Sequence, residues 1–179
     1  IPLSKEIVPD ERGAIETAVR EASTHDLGVF SGGSSVGTRD LFATVIEELG
    51  QVFFHGVQVK PGKPTLFGVV EDTPMFGMPG YPTSCLSNAY VFLAPTLRGL
   101  AGLPPPNPRT VTAKIGSRFV SSSGREQFLT VRVVDGVAHP VFKKSGAITS
   151  MAHADGYIVL PVNLDVVEEG EEVTVVLLS

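Results

Sequence analysis

The sequence predicts two folded parts in series, an α/β domain over residues 1–103 and a small all-β domain over residues 104–179. Three observations carry that expectation. First, the apolar run Leu27 to Phe30 leads through Ser31-Gly32-Gly33 into a segment of helical spacing, and helix, strand and helix alternate as in a mostly parallel α/β sheet. Second, Leu103-Pro104-Pro105-Pro106-Asn107-Pro108 cannot continue a helix and favours an extended polyproline stretch, which marks a boundary. Third, VTAKIGSRFV, FLTVRVV, AHPVF, YIVLPV and EEVTVVLL follow at short intervals, separated by Gly, Ser, Asp and Asn, with no competing helical period. Short strands so spaced suggest a barrel or a sandwich.

Taken in order, residues 11 to 24 put Ile15, Ala18, Val19 and Ala22 at helical spacing with charges opposite, and Asp10 stands where it can cap that helix. Asp26 to Phe30 reads as a buried strand. Leu41 to Leu49 reads as a helix that Gly50 closes in the left-handed conformation. Val52 to Val59, Thr65 to Val70 and Pro74 to Met78 read as strands. Thr83 to Ala101 is a long apolar helix in which Pro95 should kink or restart the turn.

Composition narrows the function classes. Of 179 residues, 42% are apolar and 18% charged, as in a soluble globular protein, and no apolar run approaches the ~18 residues of a membrane span. The net charge of −5 provides no basic field for a nucleic acid backbone, so neither nucleic acid nor membrane is an expected partner. Cys85 is the sole cysteine, which excludes an internal disulfide or a cysteine-clustered zinc site and suits the cytoplasm. The opening IPLSKEIVPD has neither the pattern of a signal peptide nor an initiating Met, so a fragment or processed product is expected.

Three loops carry chemistry-bearing residues. Ser31-Gly32-Gly33 before a helix lets backbone amides approach an anion such as phosphate, although glycine turns of this kind are common without a ligand. Asp40, in the first turn of the following helix, is either a capping residue or a ligand for Mg²⁺, a hard cation that joins carboxylates to substrate phosphates. Asp10 can join it if both strand ends share one sheet edge. Lys60-Pro61-Gly62-Lys63-Pro64 is a rigid cationic loop, or simply two solvated lysines in a hairpin turn. In Pro79-Gly80-Tyr81-Pro82-Thr83-Ser84, Thr83 or Ser84 can cap a helix and Tyr81 can stack on a ring. His25, His55, His139 and His153 lack metal-ligand spacing, and Cys85 reads as a packing residue. Ser145 to Met151 gathers hydroxyls in what reads as a polar turn.

SGGSSVGTRD, ELGQVFFHGVQVKPGKPTLFG, PMFGMPGYPTSCL and SGAITSMAHADGYIVLP, in that order, resemble the molybdopterin molybdenumtransferase family, MoeA in bacteria and archaea and the gephyrin E domain in animals. The resemblance covers nearly the whole chain. It implies a MogA-like, three-layer molybdopterin-binding domain followed by a small β-barrel, with the first strand and helix of the α/β part absent, because family members begin earlier with a T-G-D-E-L-like loop and two further domains. It implies the family's reaction: adenylated molybdopterin and molybdate give molybdenum cofactor and AMP with a divalent cation such as Mg²⁺. Asp40 and Asp10 match acidic positions near metal, molybdate and pyrophosphate. Lys60 and Lys63 match the lysines of the family's K-P-G-K-P loop. Ser31, Gly32, Gly33, Ser35, Gly37, Pro79, Gly80, Tyr81, Pro82, Thr83, Ser84 and Ser150 match substrate-side positions. Tyr81 stands where Asn is usual, and Asp155 replaces a common Asn. A homodimer is the implied state of the full-length protein.

Two further readings stand beside that enzyme. A binding or scaffold module would keep the fold without turnover. A generic phosphosugar-binding domain would account for Ser-Gly-Gly but leave the lysine and proline loops unexplained.

Overall fold

The computed structural model describes residues 6–32, 40–122, 124–141 and 149–178, the side chains of Thr149 and Ser150 excepted. The chain divides into two compact units. One comprises the chain up to Val57 together with Pro64–Gly80, and the other comprises Gln58–Lys63 and everything from Tyr81.

The first unit opens with helix α1 (Arg12–Ala22), whose inward residues Ile15 and Val19 are buried. Its N-cap position is held by Glu11, without a side-chain cap bond, so Asp10 lies one residue too early to cap it. Strand β1 (Gly28–Ser31) leads toward helix α2 (Leu41–Leu49), which does begin as expected at an Asp40 cap. Gly50 ends α2 in an extended conformation, φ −166°, and starts β2 (Gly50–His55) directly, so no left-handed closure occurs. β4 (Leu66–Val70) and β5 (Thr73–Met78) complete a four-stranded sheet ordered β1-β5-β4-β2.

That sheet is mixed, which corrects the mostly parallel expectation. Only β1 and β5 run parallel, whereas β5 with β4 and β4 with β2 are antiparallel. The reason is a two-residue connection: Glu71 and Asp72, with φ of 50° and 67°, form a tight hairpin between β4 and β5. Parallel strands would need a crossover of a dozen or more residues. Ile15 and Val19 of α1 pack with Phe42, Val45 and Ile46 of α2 on Leu66, Val70 and Met75 of the sheet. On the other face the Phe67 ring touches those of Phe54 and Phe76.

In the second unit, β3 (Val59–Lys60) pairs with β8 (Glu126–Val134), ahead of the helical stretch. That stretch comprises α3 (Pro82–Asn88), a π-helical turn (Ala89–Leu93) and α4 (Ala94–Leu100). Pro95 restarts the helix in the first turn of α4; a proline clashes with the carbonyl four residues back, and the wider π turn just before it relieves that clash.

After the irregular stretch 103–109 come β6 (Thr110–Ile115), β7 (Phe119–Val120), β9 (Val137–Pro140), α5 (Thr149–Ala152), β10 (Gly156–Leu160), β11 (Val166–Val167) and β12 (Glu172–Leu177). Pairing runs β10-β12-β6-β9-β8, and β8 also pairs with β10, which closes a five-stranded barrel. Its inward residues include Ile115, Leu129, Val131, Ile158, Leu160 and Val175. Alternation along β12 delivers Val173 and Val175 inward and leaves Glu172 and Thr174 out, and β10 turns Ile158 and Leu160 inward in the same way.

Candidate functional site

Because β1 and β5 are parallel neighbours, their C-terminal ends lie side by side, and the chain leaves each through a glycine turn. Ser31 pairs with Met78, and the Gly32 amide donates to the Met78 carbonyl at 3.2 Å. Gly32 has φ +90°, and a Cβ built on Gly80 would stand 3.3 Å from its Cα. Both turns therefore use glycine to approach closely where a ligand of an open α/β sheet binds, beyond the carboxyl ends of its strands.

Asp40 is buried, its side chain 4% exposed. Oδ1 accepts the Ala43 amide at 3.0 Å, capping α2. Oδ2 lies 3.1 Å from Nε2 of His55, and neither atom makes a standard hydrogen bond. A buried carboxylate oxygen without a hydrogen bond is the ligand chemistry that a hard divalent cation takes, so Asp40 fits one position of such a site. Among the described residues no three His, Cys, Asp or Glu gather as a metal site. Asp10 is exposed and lines an open groove of about 640 Å³ with Phe30, Ser31 and Gly32, and Asp40 is not among the residues lining it.

The cationic loop belongs to the second unit. Lys60 sits at the end of β3 beside Gln127, and its Nζ donates to Ser122 Oγ. Gly62, at φ +109°, presents its carbonyl to Asn88 Nδ2 at 2.8 Å, and Asn88 is fully buried. The loop is thus fixed to the barrel at one end and to α3 at the other, with Lys60 half-buried and Lys63 exposed. Tyr81 holds the N-cap position of α3 with Pro82 at its first residue, so Thr83 and Ser84, both buried, lie inside the helix and do not cap it. Tyr81 itself is 64% exposed.

Ser150 falls in α5, with its side chain outside the described residues, as are Gly33, Ser35 and Gly37 and the hydroxyl-bearing turn from Ser145 to Ile148. Asp155 has a structural part: its Oδ2 accepts the Val133 amide at 2.8 Å, and its own amide donates to Val131. Sequence reasoning set His55 aside with the other histidines, and it meets Asp40 only through the fold.

A mixed α/β unit with glycine turns at adjacent strand ends, followed in sequence by a closed β-barrel, defines a two-part α/β-plus-barrel architecture. Its lineage is set by comparison with known proteins. Residues 2–99 match the family described as "Probable molybdopterin binding domain", and residues 112–178 match the MoeA C-terminal region (domain IV). The chain belongs to the MoeA family of molybdenum cofactor biosynthesis proteins.

A Methanocaldococcus jannaschii protein named for molybdopterin biosynthesis is 34% identical over 175 residues, covering 97% of this chain and 42% of that one. A Haemophilus influenzae molybdopterin molybdenumtransferase is 39% identical over 97 residues, covering 54% of this chain and 24% of the relative. The solved molybdopterin biosynthesis MoeA protein of Pyrococcus horikoshii superposes with a TM-score of 0.81 at 39% identity, over 95% of this chain and 42% of that one. The chain thus spans less than half the length of these relatives. Among its described residues no helix is long and apolar enough to cross a membrane.

Proposed function

We propose that this chain carries the insertion step of molybdenum cofactor synthesis, in which molybdate enters adenylated molybdopterin and AMP is released. The observation that supports it most is the adjacency of the Ser31-Gly32 and Pro79-Gly80 turns at the parallel ends of β1 and β5, beside the first turn of a helix capped by a buried carboxylate. Backbone amides at such turns favour anionic oxygens.

Cleaving the phosphoanhydride of the adenylate breaks a P–O bond while an oxygen nucleophile, supplied by molybdate, forms another, and AMP leaves. Catalysis of such a transfer rests on neutralising oxygen charge and on alignment. Lys60 and Lys63 supply positive charge to the phosphate oxygens from a loop that loses little freedom on binding, since it is already tied to Ser122 and Asn88. Mg²⁺ would be held by Asp40 and would supply neutralising charge at the anhydride oxygens; Asp10, the second carboxylate expected from sequence, lines a groove that Asp40 does not reach. Asp40 brings to this a fixed orientation, because its cap bond prevents free rotation of the carboxylate. The molybdopterin-binding domain is drawn over residues 1–103 and the barrel domain over 104–179, in a cytoplasmic protein whose full-length form is a homodimer.

The engagement of Asp40 Oδ1 as a helix cap favours a second reading, a module that binds pterin without turnover. One experiment separates the two: AMP release from adenylated molybdopterin by the purified chain with Mg²⁺, started with molybdate. The enzyme reading expects molybdate-dependent release that Asp40→Ala abolishes. The module reading expects none, with Asp40→Ala changing only affinity, and full turnover by that variant would remove Asp40 from the mechanism.

A further inference from the structure

β2 contains one residue more than the stretch of β4 it pairs with, and this decides where its last side chain points. Val52 pairs with Gly68, Phe54 with Phe67 and His55 with Leu66, which leaves Phe53 unmatched. Directly paired residues project to the same face of a sheet. Gly68 and Leu66 are on the helix-covered face: a Cβ at Gly68 would meet Ile46 of α2 at 2.6 Å, and Leu66 packs in the core with Phe42 and Ile46. In an unbroken strand, Val52 on that face would put Phe54 there too and His55 on the opposite one. The bulge reverses the parity. The Phe53 and Phe54 rings both lie against Phe67, at 5.8 and 5.7 Å, and His55 turns toward α2.

What it meets is Asp40, with Nε2 3.1 Å from Oδ2, both atoms buried and neither hydrogen-bonded to another group. An apolar residue would suit a strand position facing a helix better, and the N-terminus of a helix is unfavourable for a group able to carry positive charge. An imidazole with its Nε2 buried there makes sense with the carboxylate as its partner. Bulges beside functional sites commonly re-aim one side chain.

We propose that His55 is a positioning residue: the β2 bulge directs its Nε2 at Asp40 Oδ2, so that the Ala43 amide and the imidazole together fix the plane of the carboxylate. This rests on the reading of Asp40 as a site carboxylate. His55 does not touch substrate in this role; it limits the orientations open to the group that does.

Two arms test it, and the first is independent of turnover. In the full chain, the imidazole ¹H–¹⁵N NMR signals are recorded at one pH for the wild type and for Asp40→Asn. The expected result is a shift at His55 Nε2 with His139 unmoved, and an Nε2 signal indifferent to Asp40→Asn overturns the proposal. The second arm measures AMP release by His55→Phe, which keeps the ring volume, and by His55→Gln, which restores an N–H donor. His55→Phe should lower the maximal rate about 10- to 100-fold with KM for adenylated molybdopterin within twofold of wild type, and His55→Gln should recover most of the loss. Equal rates for all three chains overturn the positioning role, as does equal loss in both variants. Absence of AMP release from the wild type refutes the insertion reading instead, and the NMR arm alone then decides on the pairing.

Discussion

Asp40 uses its two carboxylate oxygens differently. Its Oδ1 satisfies an amide that α2 would otherwise leave open, and its Oδ2 is turned toward His55. Removing the side chain and removing only its charge should therefore have separable effects. Asn caps helices about as well as Asp, so Asp40→Asn should keep stability within about 0.5 kcal/mol, whereas Asp40→Ala should cost roughly 1 kcal/mol, up to about 2. Urea denaturation of the three chains checks this. An equal loss in both variants would mean that the charge facing His55, not the cap, provides the stability. A correct result also validates Asp40→Asn as the cleaner probe of chemistry, since any effect on AMP release then arises in a chain whose helix is intact.

At the scale of elements, the lysine loop owes its rigidity to one glycine and one buried amide. Gly62 has φ +109°, and a Cβ there would lie 2.3 Å from Asn88 Nδ2, the same atom that donates to the Gly62 carbonyl. Asn88 is fully buried and cannot retreat into solvent. Gly62→Ala thus incurs both backbone strain, about 1–2 kcal/mol, and a displaced hydrogen bond of about 1 kcal/mol, roughly 2–3 kcal/mol together. Gly170→Ala is the control, because Gly170 has φ +84° but open space around it, so only the backbone part applies. The excess of the first loss over the second, read from denaturation midpoints, measures how firmly α3 holds the loop. No excess would show that Asn88 moves aside easily and that the loop is not braced by it.

Across the whole molecule, what could be read from sequence and what could not divide along physical lines. The barrel strands were legible because each presents alternate residues to one core, as Val173 and Val175 do in β12, and the long helix broke where Pro95 required it. The direction of the first sheet was hidden because its hairpin is made by Glu71-Asp72, which carries none of the Asn-Gly or Asp-Gly signal of such turns. The Asp40–His55 contact was hidden for a related reason: a bulge cannot be seen in a strand pattern, and without it parity sends His55 the wrong way.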